Sequence, residues 1–472
     1  MSLNKTPENL IKAITKTLPI HRENARINIE TKKIPFDKTY NYEFNTETRE
    51  VIIRSNQNDN MKITTRKSSG NKIIDICNQE LTEFYKNVDK ISIKLYEHTI
   101  IIEPLKELEL QKKAKNSLND TDITFTDIFA GSGLLTESMK LAGMIPKMAV
   151  EYVDLYLQNL ENNNPHTITY NTDVSLMDFS LLPSTTVLVG GVPCDAHSIA
   201  GKRKKEDSKV GSLGYFFLRA VEQIRPAVCV VEEVVPFAKS AMRDMIVSVL
   251  EMRGYKISEK ILNAADFGGI QARKRYVMVA TMAEKPFVFS NNFTKNKTAV
   301  HDILEIPINE RTWHDRHNSK TMKYSLEKEV EHIRKGDGFR LARTYLKDTK
   351  VAAITKGYYK WQLTSPILVH PNNPEKYSWF TPRELARLSG LPESFSFGKM
   401  KKTRIGQIIG QGVEVNCFKQ LGLDIKKHIR ENRTNYINAV ADFEESKANV
   451  KNNTLPVNNH LEFYTQSLIS FM

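Results

Sequence analysis

Cys194 is the one of four cysteines whose surroundings favour reactivity. It follows Pro193 in G-G-V-P-C-D-A-H-S, Gly190–Ser198, which begins where the apolar run Val187–Val189 ends. In open α/β sheets, ligands bind where strands give way to loops. A thiol placed there becomes a nucleophile when nearby positive charge or a helix N-terminus lowers its pKa. The basic residues Lys202–Lys205 lie just beyond it and read as phosphate contacts or as a solvated loop. Cys77, Cys229 and Cys417 stand in apolar or helical contexts and are expected in the core. No pair forms C-x-x-C, so neither a zinc cluster nor a disulfide framework is expected. A second chemistry lies upstream, where a strand ending at Phe129 runs into A-G-S-G-L-L, Ala130–Leu135. Gly131 and Gly133 allow a tight turn and a close backbone approach to a ligand, with Leu134 opening the following helix. Glu151, followed by Tyr152, ends the next strand, where its carboxylate could accept both hydroxyls of a ribose. Asp173 ends a third strand, where it could accept from an adenine amino group. Phe129 could stack on the adenine or serve as a core residue. The third glycine of the dinucleotide fingerprint is missing, so an adenosine-bearing cofactor is favoured over a dehydrogenase cofactor.

The elements that must position these groups follow from the hydrophobic pattern. Candidate strands at Thr124–Phe129, Met148–Val150, Thr167–Tyr170, Val187–Val189, Val228–Val231, Lys256–Leu262 and Tyr276–Ala280 alternate with amphipathic helices, the pattern of an open α/β sheet. Residues 1–105 have another texture, an α+β module with a hairpin at Tyr40–Phe44 and Val51–Arg54, helical spacing over Lys72–Tyr85, and strands at Ile91–Leu95 and Thr99–Ile102. Residues 106–122 read as a linker and 123–286 as a cofactor-binding domain. The polar stretch 287–378 has no clear period and is too long for a simple loop, so a separate small domain is expected. Thr381–Leu388 carries a capping-box helix start. Residues 379–430 then complete the catalytic domain, and 431–472 form a polar tail. The chain has 472 residues, 40% of them hydrophobic, and a net charge of +13, which favours a polyanionic partner. No apolar run approaches the ~20 residues of a membrane-spanning helix. The N-terminus has no secretory core, so a cytoplasmic location is expected.

Six segments in order resemble the motif set of the DNA (cytosine-5) methyltransferases: D-I-F-A-G-S-G at Asp127–Gly133, G-G-V-P-C-D-A-H-S, V-V-E-E-V at Val230–Val234, Q-A-R-K-R at Gln271–Arg275, T-P-R-E-L-A-R-L at Thr381–Leu388, and G-Q-G-V at Gly410–Val413. The resemblance implies a class I Rossmann-like methyltransferase, α/β, with a mostly parallel seven-stranded sheet, a small target-recognition domain and the N-terminal α+β module. It implies S-adenosyl-L-methionine as cofactor, double-stranded DNA as substrate, and no metal. A monomer on DNA is the expected working unit. Cys194 matches the nucleophile that adds to carbon 6 of a flipped cytosine. Glu232 matches the acid at ring nitrogen 3, and Arg275 and Arg273 match groups that hold the base oxygen or the flanking backbone. Gly410 and Gln411 join the cofactor-binding set. The stretch 287–378 matches the target-recognition region, where Tyr358, Tyr359, Lys360 and Trp361 could read base edges or pack.

Four departures bear on the chemistry. Asp195 follows the nucleophile where the family has glutamine, Glu233 stands in place of the asparagine of E-N-V, Gln411 replaces another asparagine, and the turn lacks the usual double glycine. Added carboxylates near a thiolate raise its pKa. An altered donor, an RNA substrate, or a weakly catalytic DNA-binding homologue therefore stand as alternatives at this point.

Overall fold

A computed structural model describes residues 10–432, apart from 22–23, 56–59, 87, 89, 105–121, 194–212, 292–293, 295, 338–339 and 361–363. Cys194, Asp195, the basic run Lys202–Lys205, Trp361, nearly all of the expected linker and the tail beyond 432 lie outside the described residues.

Seven strands alternate with helices as the hydrophobic pattern predicts. In spatial order they are Lys256–Asn263, Lys274–Thr281, Val228–Glu233, Val187–Gly191, Thr124–Ile128, Ile145–Glu151 and Ile168–Asn171. The last five run parallel, and Lys274–Thr281 is antiparallel to both of its neighbours. Strands covered on both faces must be apolar throughout, and all six residues of Val228–Glu233 are buried. Side chains alternate across the sheet. Val187, Val189 and Val230 join Phe125, Phe380 and Phe418 in one core, while Leu188, Cys229 and Val231 join Phe217, Phe237 and Ile246 in the other.

The sheet does not stop at seven strands. Leu10–Thr17 pairs in parallel with Ile168–Asn171, and Lys90–Tyr96, Ile100–Pro104, Glu50–Arg54, Thr39–Asn45 and Met61–Lys62 follow, giving thirteen strands in one sheet among the described residues. The N-terminal module is thus continuous with the catalytic sheet. Its second sheet, Ile20–His21, Asn24–Thr31, Lys72–Cys77 and Thr64–Thr65, closes over a separate core that includes Ile27, Ile29, Ile53, Ile74, Ile93 and Ile102. The helical reading of Lys72–Tyr85 is corrected here. Lys72–Cys77 is a strand paired with Asn24–Thr31, and only Gln79–Phe84 is helical, capped by Asn78. The run of isoleucines supports either period, and β-branching with a partner strand decides for the sheet. The same pairing leaves Cys77 exposed rather than in the core.

The stretch 287–378 divides. Phe287, Val300, Ile303, Val351, Ile354 and Tyr358 belong to the main core. A smaller unit has its own sheet, in the order His314–Asp315, Asn373–Ser378, Ile367–His370 and Arg343–Thr344. The helix Lys320–Arg334 accompanies it, capped by Ser319. Met322, Leu341, Ile367 and Tyr377 form the small core of this unit. Tyr358 is fully buried, its hydroxyl donating to Pro366 O and accepting from Phe380 N, so it packs rather than reads bases. The Tyr359 hydroxyl donates to Phe380 O at 2.7 Å. Among the described residues no helix is long and apolar enough to cross a membrane, and no cluster of side chains could hold a metal.

Gly190 shows how tightly the strand end is packed. A Cβ there would lie 2.9 Å from the Phe217 ring and 3.2 Å from Ile128. Gly190→Ala is expected to cost ~1–3 kcal/mol by overpacking a core that cannot give way. The measurement is the denaturant midpoint, lowered at unchanged slope.

Candidate active site

Two groups of residues converge at the carboxyl ends of the central strands. The first surrounds Glu232. This residue is the last but one of the buried strand Val228–Glu233 and stands opposite Gly191, the last residue of the neighbouring strand. A Cβ at Gly191 would come within 3.3 Å of Glu232 Oε2, so the bare glycine backbone lets the carboxyl lie over the strand end. The loop that carries Cys194 leaves the sheet at this point. Arg275 Nε lies 2.7 Å from Glu232 Oε1. Burial pushes the Glu232 pKa up, and Arg275 and Arg273 only partly offset it. Glu233, next in the strand, is also buried, and its carboxylate accepts from Val234 N.

Gln271, Arg273 and Arg275 do different work. Gln271 Oε1 accepts from Ile354 N at 3.1 Å and its amide donates to Ser389 Oγ at 3.2 Å, stitching the chain returning from the insertion to the Pro382–Leu388 helix. Arg273 is buried and donates to Ile354 O and Gly410 O, both at 2.8 Å. Arg275 alone of the three pairs with Glu232. The backbone breaks between Gln271–Ala272 and Lys274–Thr281, and Arg273 N donates to Gln271 O there, so alternate residues do not share one face. Glu384 is structural. It completes the capping box with Thr381, accepts from Glu305 N and pairs with Arg311, all without exposure.

The second group surrounds the glycine turn. Phe129, Gly131 and Gly133 all adopt positive φ, at 63°, 55° and 86°. Phe129 is half-buried against the second core. Gly131 has open space where a Cβ would stand, whereas one at Gly133 would meet Leu160 at 3.0 Å. The Ser132 hydroxyl is buried without a hydrogen-bond partner. Glu151 fastens the turn: Oε2 accepts from Gly131 N at 2.8 Å and Oε1 from Val153 N at 2.7 Å. Its pKa is raised by burial against these bonds. Tyr152 is 70% exposed beside it. Asp173 is exposed and caps a short turn, accepting from Ser175 N and Ser175 Oγ. Gly410 and Gln411 arrive from the C-terminal part. A Cβ at Gly410 would stand 2.1 Å from the Thr355 carbonyl carbon, and one at Gly412 would stand 2.5 Å from Leu134, which is itself buried. Tyr156, not singled out from the sequence, donates its hydroxyl to Gln411 Oε1 at 3.4 Å. Its only sequence signal is its place one turn beyond Glu151.

With this geometry in view, comparison with known proteins is decisive. The model of the C-5 cytosine-specific DNA methylase family matches residues 123–427, well over half of the chain. The chain belongs to that family. As an enzyme it is a DNA (cytosine-5-)-methyltransferase. It is 27% identical over 320 residues to the type II methyltransferase M.HhaI of Haemophilus parahaemolyticus, covering 65% of this chain and 94% of that one. It is 29% identical over 290 residues to M1.ScrFI of Lactococcus lactis subsp. cremoris, covering 57% and 69%. Among solved structures, the S. pombe Dnmt2 methyltransferase superposes with a TM-score of 0.53 at 18% identity, over 65% of this chain and 99% of that one, a likeness of fold. Residues 10–104 of the methylase precede the family span.

Asp127 lies beneath the turn, fully buried, with Oδ2 accepting from Thr136 Oγ1 at 2.6 Å and Oδ1 without a hydrogen-bond partner. Burial raises its pKa to about 7, and Glu151 and Glu232 add to the rise. A carboxyl with a raised folded-state pKa contributes stability at low pH that is lost as pH rises through that value. Asp127→Asn is therefore expected to gain thermal stability relative to the parent between pH 5 and 7, with the gap level above. Melting temperatures of both proteins across pH 5–8 test this.

Proposed function

We propose that this methylase transfers a methyl group from S-adenosyl-L-methionine to carbon 5 of a cytosine flipped out of double-stranded DNA, through a covalent adduct with Cys194. The observation that carries the reading is the buried Glu232–Arg275 pair at 2.7 Å, set against the strand end from which the Cys194 loop departs. Cytosine carbon 5 is a poor nucleophile. Addition of the Cys194 thiolate to carbon 6, with a proton given to ring nitrogen 3 by Glu232, makes carbon 5 enamine-like. Carbon 5 then takes the methyl group as the methyl's bond to the donor sulfur breaks. Loss of the carbon 5 proton to water expels the thiolate, the ring nitrogen 3 proton returns to the Glu232 carboxylate, and 5-methylcytosine is left. Burial raises the Glu232 pKa and so favours the protonated form that gives this proton. Arg275 holds the carboxyl in place and faces the base edge, while Arg273 positions the Gly410 segment.

The cofactor supplies an electrophilic methyl group when bound. The residues present fit it. The open space over Gly131, the buried Ser132 hydroxyl without a hydrogen-bond partner, the Glu151 carboxylate and the exposed Tyr152 ring would together hold it, with Gln411 joined to this group by Tyr156. Phe129 and Asp173 would hold its adenine end. The small unit around residues 313–345 and 366–378 would read the target sequence, with the chain working as a monomer in the cytoplasm. Its setting would be a restriction–modification system or phage DNA protection, in keeping with the type II relatives.

Nucleoside mass spectrometry of DNA from a host lacking cytosine methylation should show 5-methylcytosine with the parent protein and none with Cys194→Ala. DNA containing 5-fluorocytosine should trap the parent covalently and leave the variant free. Glu232→Gln should lower kcat by about 10²–10⁴-fold. A product of another mass would move the reading to an altered donor. A parent that neither modifies nor traps would overturn it.

A further inference from the structure

The methylase sheet is continued on its cofactor side by a strand outside the family span. In the pairing of Leu10–Thr17 with Ile168–Asn171, Lys12 stands opposite Thr169 and Ala13 opposite Tyr170. Lys12 is 1% exposed, and its ammonium donates to Glu161 Oε1 at 2.7 Å. The same oxygen accepts from Thr169 Oγ1 at 2.6 Å. Lys33, also from the N-terminal module, donates to Thr167 O at 2.7 Å nearby. Burial opposes ionisation of Glu161, but Lys12 and Lys33 together hold it below the ordinary carboxylate range. A buried charge is tolerated only when it is paired and hydrogen-bonded, and removing one partner strands the other.

Glu161 lies in the last turn of the helix Asp154–Asn163, and the other end of that helix is tied to the glycine turn. Val153 N, at its cap, holds Glu151 Oε1, whose partner oxygen holds Gly131 N. Tyr156 in its first turn reaches Gln411, and Leu160 packs under Gly133. One rigid element therefore runs from the Lys12 ion pair to the glycine turn.

We propose that Lys12 is a positioning residue of the cofactor site, acting through Glu161 to seat the helix Asp154–Asn163 so that Glu151 and Tyr156 meet the glycine turn. The N-terminal strand is then a working part of the methyltransferase. This rests on the reading that the cofactor occupies that turn.

The test compares the full-length parent with Lys12→Met, Lys12→Arg and the double variant Lys12→Met/Glu161→Leu. S-adenosylhomocysteine affinity is read by calorimetry, KM and kcat by methyl transfer, and amide exchange at residues 131 and 153–163 by mass spectrometry. Lys12→Met should weaken S-adenosylhomocysteine binding by about tenfold, raise the cofactor KM in step, change kcat less than twofold, and speed exchange along the helix. Lys12→Arg should recover most of the affinity. The double variant removes the stranded charge and should recover stability without recovering affinity, which a merely stabilising pair would not do. Parent-like affinity and protection in Lys12→Met, or in the double variant if Lys12→Met does not fold, overturns the proposal. If the parent itself does not bind S-adenosylhomocysteine, the cofactor reading fails. Exchange at residues 131 and 153–163 then decides the role of Lys12, with faster exchange in the variants supporting it and parent-like exchange overturning it.

Discussion

A carboxyl group held in a nearly dry strand end organises the catalytic half of this protein. Glu232 sits where an apolar strand terminates, and burial favours its protonated form while Arg275 holds it in one orientation. Both effects require that water be excluded and that nothing else occupy the space. Gly190 and Gly191 meet the second requirement by lacking side chains, since a Cβ at either would press on Phe217 or on the carboxyl itself. The neighbouring strand thus ends in bare backbone beside the acid. Removing water also strengthens each electrostatic interaction that remains.

The surroundings of the glycine turn follow from a second close approach of backbone to backbone. Gly410 lies against Thr355 with no room for a side chain, and the Arg273 guanidinium bridges the two segments through their carbonyls. This contact brings Gln411 from the C-terminal part to within reach of Tyr156, which follows the strand of Glu151. The turn at Gly131–Gly133, the carboxylate of Glu151 and the helix Asp154–Asn163 then form one hydrogen-bonded unit. Lys12 anchors its far end.

Much of this was legible in the residue pattern, because the informative features are contiguous. Apolar runs of four to six residues mark the central strands, with Val187–Gly191 and Val228–Glu233 the plainest. The capping box at Thr381 and Glu384 forms as its spacing predicts. Elsewhere the local signal misled. Lys72–Cys77 carries isoleucines that satisfy a helical period, and only pairing with Asn24–Thr31 makes it a strand. Tyr358, in an aromatic and basic cluster that reads as a recognition surface, is buried under Phe380. The 15-residue helix Lys320–Arg334 was not visible as a period because polar residues dominate it.

The sequence by itself determined the order of the strands along the chain, the glycine turn and its acidic followers, and the family of the catalytic domain. These are properties of short segments, set by side-chain alternation and by residues that only particular backbone shapes tolerate. Tertiary structure decided which arginine faces Glu232, because a break in the strand after Ala272 separates residues that alternation would place together. It also decided that strands of the N-terminal module, Leu10–Thr17 first among them, extend the sheet. A strand edge offers its N–H and C=O groups to any segment of suitable register, and nothing in a linear pattern says which segment will pair. Here Lys12 and Glu161, 149 residues apart, meet in the pairing that forms.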